Sequence, residues 1–476
     1  MVKIDWEHEV EKRKEALIEK TRELLKIKSV LDEDDGGPDA PLGRGVKEAL
    51  QYMLDLGRED GFRVKNVGNL AGHIEFGAGK ELVGILCHVD VVPAGDGWSC
   101  DPFGAEIRDG KIFARGAIDD KGPTMAAYFA MKIVKELELP LNKRVRMIIG
   151  TDEESDWRCV EHYFAREEMP TLGFAPDADF PIIYAEKGIM DFDFVQKPDN
   201  GPAQKEGAEV IRFASGRRYN MVPDFAAVVL KAPGEEEMLK RRFHEFLAVT
   251  NSTGRCFEAG GEVIFELEGI SAHGMEPDRG KNAGLMLSSF LAKLHLDAEA
   301  QRFFPFIAQY FLDDSRGRKT GIAYADHTGE VTVNVGILTY DAGRGGKLGI
   351  NLRYPVTADF SELKRKLQEL AEKNGFAMEN ISNSNPHYVD ENEFLVRTLK
   401  KVYEERTGEK AELLAIGGGT YARSLKSGVA FGPLFPGRPD VAHQKDEYIF
   451  IDDLLKATAI YAHAIYELAG QKTADR

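Results

Sequence analysis

The sequence predicts an α/β protein in which both ends of the chain build one layered domain and an α+β domain is inserted between them. Apolar strand-like runs alternate with helical patterns over the first part of the chain, which is typical of a layered α/β sheet. After Lys187 the apolar residues occupy every second position, as in half-exposed antiparallel strands. From about Val389 the alternation of helices and strands returns.

These changes of pattern define the expected domains. Residues 1–186 form the first segment of the layered α/β domain, 187–385 form the inserted domain, and 386–476 close the layered domain. A chain of 476 residues is too long for one hydrophobic core, so at least two domains are expected. The insert is long enough to contain two similar subdomains, although no clear sequence repeat marks a duplication.

The predicted elements follow in chain order. A helix over 5–28 and another over 46–56 precede two strands, 71–76 and 82–91, which we expect to pair as a hairpin across 77–80. Further on, the patterns predict helices over 123–137, 159–167, 235–250, 282–294, 361–374 and 453–468, and strands over 144–150, 173–177, 262–268, 331–338 and 348–354.

Composition argues against several classes of function. The chain carries 62 Lys and Arg against 79 Asp and Glu, a formal charge of −17, which makes nucleic acid and anionic membranes poor partners. The sequence contains no apolar run long enough to span a bilayer, and its charged N-terminal stretch lacks the apolar segment of a signal peptide. Four cysteines without a CxxC pair indicate reduced thiols. We therefore expect a cytoplasmic protein.

Acids and histidines lie at the predicted strand ends. His88 follows the buried run 82–87, and Asp90 lies on the same face of an extended segment, where it can hold the second imidazole nitrogen. Open α/β sheets bind ligands at the carboxyl ends of their strands. The other candidates at what we expect to be strand ends of the same sheet are Asp119, Asp120, Glu153, Glu154, Asp177 and His443.

Each of these residues alone has an ordinary explanation, because loop acids usually cap helices or face water and a lone loop histidine is usually exposed. Their agreement over five segments predicts a metal site. One acid of the pair Glu153 and Glu154 could bind a metal ion while the other takes a proton from water. The residues alone do not decide between Asp119 and Asp120 as the ligand.

Several motifs resemble those of a known family. His88-Val-Asp90-Val-Val-Pro93, Ala114-Arg-Gly-Ala-Ile-Asp119-Asp-Lys-Gly-Pro123, Asp152-Glu-Glu-Ser155 and Ala175-Pro-Asp177 resemble the M20 metallopeptidases. Four further motifs agree with this resemblance, namely Tyr219-Asn-Met-Val-Pro-Asp224, Ser271-Ala-His-Gly274, Asn351-Leu-Arg-Tyr-Pro355 and Gly417-Gly-Gly-Thr-Tyr-Ala-Arg423. The last of them and the long insert narrow the resemblance to the dipeptidase V group of Xaa-His (carnosinase-type) dipeptidases.

The resemblance implies two divalent metal ions, usually zinc, with manganese or cobalt as alternatives that the same ligand types suit. His88 and Asp177 would bind one ion, Glu154 and His443 would bind the other, and Asp119 would bridge them. The peptide bond that follows Asp119 would be cis.

The resemblance also implies the remaining roles. Asp90 would orient the first histidine ligand, Glu153 would act as the general base, and His273 would stabilise the negative charge that grows on the scissile carbonyl oxygen. The residues implied to bind the substrate are Asn220, Arg353, Gly417, Gly418 and Thr420.

The function implied is a metal-dependent dipeptidase whose substrates are short unblocked peptides of the Xaa-His or β-alanyl-Xaa type. Because the insert is long enough to hold two similar units, one chain could complete its own site, and we expect a monomer rather than a homodimer. An N-acyl amino acid deacylase of the same superfamily, of the acetylornithine deacetylase or succinyl-diaminopimelate desuccinylase type, is the alternative that the metal motifs do not separate. A binding protein that does not cut its peptide is a third reading, but it would have no use for Glu153.

Overall fold

A computed structural model describes residues 4–198 and 207–470 of the chain. These residues form two compact units, each with its own hydrophobic core. The first unit contains the described residues up to 185, then 388–414 and 419–470, and the second contains those from 186 to 387 together with 415–418.

The elements have the following bounds. The described helices are α1 (Trp6–Glu11), α2 (Lys14–Leu25), α3 (Arg44–Glu59), α4 (Lys121–Glu136), α5 (Arg158–Phe164), α6 (Glu236–Thr250), α7 (Ala283–Leu291), α8 (Ala298–Tyr310), α9 (Phe360–Lys373), α10 (Phe394–Thr407) and α11 (Ile451–Gly470). The described strands are β1 (Arg63–Val67), β2 (Ala71–Phe76), β3 (Leu82–His88), β4 (Glu106–Arg108), β5 (Lys111–Phe113), β6 (Arg144–Gly150), β7 (Leu172–Ala175), β8 (Ala178–Asp179), β9 (Ile182–Glu186), β10 (Gly188–Gln196), β11 (Glu209–Ser215), β12 (Phe225–Lys231), β13 (Gly254–Ala259), β14 (Glu262–Glu268), β15 (Ala325–Asp326), β16 (Gly329–Glu330), β17 (Thr332–Asp341), β18 (Gly345–Tyr354), β19 (Phe376–Ser384), β20 (His387–Tyr388), β21 (Leu413–Ile416), β22 (Gly428–Ala430), β23 (Pro433–Leu434) and β24 (Tyr448–Phe450).

A nine-stranded sheet organises the first unit, in the order β1-β2-β6-β3-β7-β22-β9-β20, with β21 paired to β9. Strand β3 lies near its centre, parallel to both β6 and β7, and is buried at all seven positions. Helices α4 and α11 pack on this central part, and the short 3₁₀ helix Tyr421–Ser424 also contacts β3, a strand without a polar face. The carboxyl ends of these three strands therefore meet at one edge of the sheet.

The hairpin predicted between 71–76 and 82–91 is wrong. Strand β6 lies between them, antiparallel to β2 and parallel to β3, so that Met147 is opposite Ile74 on one side and opposite Ile85 on the other. A strand without a polar face belongs at the centre of a sheet, and its parallel neighbour β6 arrives only after a crossover through α4. The glycine-rich turn between β2 and β3 does not indicate that β6, a strand later in the chain, lies between them.

The segment before Asp119 also differs from the prediction, because β5 does not belong to the main sheet. It lies in a separate three-stranded sheet in the order β24-β5-β4. Phe113 of β5 pairs with Tyr448 of β24. This pairing brings the chain that follows β5 next to the chain that precedes β24, and these two stretches contain Asp119 and His443.

The second unit is an α+β structure around an eight-stranded antiparallel sheet, in the order β13-β14-β12-β11-β17-β18-β10-β19. Helices α6, α7, α8 and α9 pack on strands of this sheet. Along β10, Met190, Phe192 and Phe194 are buried in the core, as their alternation with polar residues predicts. The predicted fold class, a discontinuous α/β domain with an α+β insertion, is confirmed. None of the described helices is both long and apolar enough to cross a lipid bilayer.

Candidate metal centre

Three neighbouring strands of the first unit end in acids or histidine at one edge of the sheet. His88 is the last residue of β3. Glu153 and Glu154 follow β6, and Asp177 follows β7. Because the strand order is β6-β3-β7, His88 lies between the two acidic segments.

The candidate ligands form two groups. The ligand atoms of His88, Glu153 and Asp177 lie within 4.8 Å of one another, and those of Asp119, Glu154 and His443 do the same. Every residue that the sequence predicts as a metal ligand is therefore in one of these two groups, and the predicted general base lies in the first.

Asp119 connects the two groups through its two carboxylate oxygens. Its Oδ1 lies 3.1 Å from Nε2 of His88, and its Oδ2 lies 3.0 Å from Nε2 of His443. Nε2 of His88 also lies 3.6 Å from Asp177 Oδ2, and Nε2 of His443 lies 3.0 Å from Glu154 Oε2. One carboxylate facing two imidazoles is the arrangement that a bridging ligand requires.

Asp120 has a different role from its neighbour. It is fully buried, and its Oδ2 accepts hydrogen bonds from the backbone N–H of His88 at 3.1 Å and from the Thr124 hydroxyl at 3.0 Å. It thus fixes the end of β3, while Asp119 faces the imidazoles. The peptide bond between the two aspartates is cis, as the family resemblance implied.

Asp90 contacts the second imidazole nitrogen of His88. Its backbone carbonyl oxygen lies 3.1 Å from Nδ1, and its carboxylate Oδ1 lies 3.4 Å from the same atom. Its Oδ2 accepts the backbone N–H of Glu154 at 3.1 Å. The ring is therefore oriented by the main chain as well as by the side chain of Asp90, and the same residue ties β3 to the segment after β6.

Burial makes the carboxylates of the cluster hard to ionise together. Burial, followed by the charge of Asp119, raises the pKa of Asp177 to about 6 and that of Glu154 to about 7. Burial also raises the pKa of Glu153 well above its ordinary value. Four carboxylates crowded into one pocket need compensating positive charge.

The pKa of His443, the histidine of the second group, shows the effect of the same excess of negative charge. Hydrogen bonds with Asp119 and Glu154 raise the pKa of His443 to about 11. Burial alone would raise the pKa of Asp119, but its hydrogen bonds to the two histidines hold that pKa below its usual value. Carboxylate oxygens and imidazole nitrogens are ligands for zinc, manganese and cobalt, so the residues present fit two divalent cations.

In the second unit, two residues predicted to touch the substrate are neighbours. Met221 forms an isolated β-bridge with His273. The side-chain amide of the buried Asn334 donates to the carbonyl oxygens of Tyr219, at 2.7 Å, and Met221, at 2.9 Å. These two bonds hold the backbone on either side of Asn220, which fixes that residue close to His273.

Arg353 is held in place by a chain of hydrogen bonds within the second unit. Its Nε donates to Asn351 Oδ1 at 2.8 Å, and the Asn351 amide donates to Asp191 Oδ1 at 2.6 Å. Its Nη1 donates to the carbonyl oxygen of Gly417 at 3.1 Å. Gly418 lies in the same unit, whereas Thr420 belongs to the first. Arg353 is therefore a buried guanidinium held in a fixed orientation. The planar fork of a guanidinium matches the geometry of a carboxylate.

Sequence reasoning missed the role of Tyr421. Its ring packs edge-on against the imidazole of His88, with 6.0 Å between the ring centroids, and its hydroxyl lies 3.0 Å from Cys159 Sγ. A side chain at Gly150, the last residue of β6, would collide with the Tyr421 oxygen. The residue lies in the motif Gly417–Arg423, but nothing in that motif indicates which ring Tyr421 touches.

Fold and cluster together define the class of this protein. An open α/β sheet with carboxylate and imidazole ligands at the carboxyl ends of its central strands is the framework of a metal-dependent hydrolase. The chain belongs to peptidase family M20/M25/M40, whose family model matches residues 84–467. The resemblance read from the motifs is thereby confirmed.

The chain is similar to several known proteins over nearly its whole length. It is 55% identical over 467 residues to the Bacillus subtilis (strain 168) protein named "Putative dipeptidase YtjP", covering 98% of this chain and 100% of that protein. It is 45% identical over 464 residues to a Staphylococcus epidermidis protein named "Putative dipeptidase", covering 97% of this chain and 99% of that one.

Two solved structures share the fold. The aminoacylhistidine dipeptidase from Vibrio alginolyticus matches with a TM-score of 0.59 at 15% identity, over 96% of this chain and 97% of that chain. Human carnosine dipeptidase 1 matches with a TM-score of 0.55 at 15% identity, over 98% of each chain. At these identities the likeness concerns the fold.

Proposed function

We propose that the protein is a metal-dependent dipeptidase that hydrolyses the peptide bond of short unblocked peptides, including dipeptides of the Xaa-His and β-alanyl-Xaa type. The observation that carries the proposal is the position of Asp119 between His88 and His443, with Glu153 in the same cluster. Membership of the M20 family and the dipeptidase names of its relatives support this choice of reaction.

Five residues would hold two divalent cations, which we propose to be zinc. His88 and Asp177 would hold one, Glu154 and His443 would hold the other, and Asp119 would contribute to both. When bound, such cations lower the pKa of water and polarise the scissile carbonyl group.

Glu153 moves the proton. Its carboxylate lies with the ligand atoms of the first group. We assign it as the base for the water molecule that attacks the substrate. It accepts the proton of that water and later donates it to the leaving amine. Asp90 keeps the imidazole of His88 in one orientation throughout.

His273 stabilises the developing charge on the scissile carbonyl oxygen by donating a hydrogen bond to it. Its Nδ1 accepts the backbone N–H of Met275 at 3.2 Å, which leaves Nε2 as the protonated nitrogen of the neutral ring. The ring is exposed in the second unit, so a substrate can reach this nitrogen.

Asn220 and Arg353 bind the C-terminal carboxylate of the substrate. Because this anchor requires a free C-terminal carboxylate, it favours unblocked peptides over substrates whose C-terminus is blocked. The residues proposed to line the site with backbone donors are Gly417, Gly418 and Thr420.

We further propose that the enzyme acts as a monomer in the cytoplasm, without nucleic acid or membrane as a partner. All four cysteines are free thiols, which supports a reducing compartment. A specific activity that depends on protein concentration in the assay range would contradict the monomer.

A substrate comparison tests the proposal. The purified protein, loaded with Zn²⁺ or Mn²⁺, is assayed on β-alanyl-histidine and other unblocked dipeptides, and on N-acetylornithine and N-succinyl-diaminopimelate. We expect turnover of the unblocked dipeptides, with Glu153→Gln as the inactive control of matched size. Turnover of the acylated compounds alone would assign the protein to the deacylases.

A further inference from the structure

A completely buried ion pair lies beside the metal centre, in the first unit. The guanidinium of Arg115 and the carboxylate of Glu447 are in direct contact, and their side chains are 1% and 0% exposed. Removing two opposite charges from water is costly, and a well-packed apolar pair is often at least as stable. Stability alone therefore does not explain why this pair is present.

Glu447 holds the backbone that carries the bridging carboxylate. Its Oε2 contacts Arg115, while its Oε1 accepts the backbone N–H groups of Ile118, at 3.0 Å, and Asp119, at 3.3 Å. Its own carbonyl oxygen accepts the N–H of Ala114 at 3.0 Å. Both carboxylate oxygens are thus used, one on the cation and one on the loop.

Arg115 holds two other loops. Its Nη2 lies 3.2 Å from the carbonyl oxygen of His443, and 3.3 Å and 3.5 Å from those of Ala94 and Pro93, which follow the segment of His88. Its guanidinium also lies over the ring of Trp98, at 5.3 Å from the centroid. One side chain thereby joins the loops that come after β3 and before β24.

We propose that the Arg115–Glu447 pair is a positioning device for the metal centre. It fixes the loops of Asp119 and His443 so that their side chains face each other before a cation binds. The ion pair hydrogen-bonds to the backbones of Asp119 and His443. The cation at Glu154 and His443 therefore depends on the pair more than the cation at His88 and Asp177 does. This inference rests on the proposed metal ligands, but not on the choice of substrate.

A second buried pair in the same unit provides a matched control. Glu75 and Arg146 connect β2 to β6 at 2.6 Å, with side chains 8% and 7% exposed. Their loss removes a buried ion pair of the same chemistry from a place where no predicted ligand is attached. A purely structural role predicts the same behaviour for both pairs.

The test compares Glu447→Gln with Glu75→Gln. Glutamine retains the size and one acceptor oxygen of glutamate but loses the charge that binds arginine. Metal affinity is measured by competition with a chelating dye. The melting temperature is measured on the metal-free protein, and the ligand geometry is followed by the visible absorption of the Co²⁺-loaded protein.

We expect both variants to melt at lower temperature, whereas Glu447→Gln alone weakens the binding of one of the two cations by about 10- to 100-fold and changes the Co²⁺ spectrum. Metal affinities and spectra of Glu447→Gln that match those of Glu75→Gln and the unchanged protein would overturn the proposal. Two bound cations without dipeptide turnover would instead overturn the proposed function alone.

Arg115→Lys keeps the inference testable if Glu447→Gln does not fold. Lysine retains the positive charge for Glu447 but replaces the planar fork by a single ammonium, which cannot also reach the carbonyl oxygen of His443 and the loop after β3. The expected result is again weaker binding of one cation, and unchanged affinity for both cations would refute the positioning role.

Discussion

Acid will destabilise the first unit through His73. This residue of β2 is buried, and its Nδ1 accepts a hydrogen bond from the hydroxyl of Tyr163 at 2.8 Å. The Tyr163 oxygen in turn accepts from Arg146 Nη1 at 3.4 Å, so the chain of donors runs from the guanidinium to a neutral imidazole. Burial, and then the charge of Arg146, lower the pKa of His73 to about 4.

The magnitude follows from the two protonation equilibria. In the unfolded chain this histidine binds a proton with a pKa of about 6.5, whereas in the folded protein its pKa is about 4. Between these values the unfolded state holds more protons, so the free energy of unfolding falls as the pH falls. The contribution of His73 to the free energy of unfolding is complete above about pH 6.5 and falls as the pH is lowered toward about 4. The loss is about 2 kcal/mol at about pH 5 and reaches about 3 kcal/mol once the pH is well below the folded-state pKa.

Urea unfolding of the metal-free protein at about pH 8 and about pH 5 measures this effect. His73→Gln is the control, because its amide can accept from Tyr163 but does not titrate. We expect the unchanged protein to lose about 2 kcal/mol more between the two pH values than the variant does. Equal losses in both proteins would show that the buried imidazole is not the group that titrates.

Three further predictions concern the reaction. Glu153→Gln should lower kcat by about 10²- to 10⁴-fold while the bound metal, measured by atomic emission, stays at two ions per chain; retention of activity would remove the assigned base. Asn351→Ala frees the guanidinium of Arg353 from its hydrogen-bonded chain. KM should therefore rise about tenfold for dipeptides with a free carboxylate, a loss of about 1.4 kcal/mol of binding free energy, and change little for their C-terminal amides. An equal rise in KM for both kinds of substrate would contradict the role of Arg353 as the carboxylate anchor. Dialysis against a chelator should abolish dipeptide hydrolysis, and Zn²⁺ or Mn²⁺ should restore it; activity that survives with no detectable metal would contradict the mechanism.

Local patterns predicted much of the first unit. The strand over 144–150 has the bounds of β6, and the apolar run 82–87 leads into His88 as expected, although β3 ends at that residue and not at Val91. The pair Asp109 and Gly110, a combination typical of tight turns, joins β4 to β5. In each case the sequence pattern and the strand or turn that it predicts lie within about ten residues of one another.

Pairings between distant segments were not predictable. The insertion of β6 between β2 and β3, and the pairing of β5 with β24, depend on segments that meet only in the folded chain. The helix predicted over 5–28 is divided between α1 and α2, where Arg13 turns to bind Glu136 at 2.7 Å. Helix α8 was not predicted, and it contains Pro305, a residue that interrupts most helices.

The candidate site shows the same division. The residue types and strand-end positions were sufficient to predict a metal site and its candidate acids and histidines, because few other side chains bind divalent metals, whereas the choice of ligands came from the family resemblance. They could not separate Asp119 from Asp120, since only the folded backbone turns one toward the imidazoles and the other toward the N–H of His88. Nor could they find Arg115 and Glu447, which act on backbone groups that any residue would present.

Anomalous diffraction at the zinc absorption edge, from crystals of the zinc-loaded protein, would locate the cations themselves. We expect two peaks about 3.5–4 Å apart, one beside His88 and Asp177 and the other beside Glu154 and His443, with Asp119 between them. A single peak, or peaks remote from Asp119, would contradict the two-metal centre on which the proposed reaction depends.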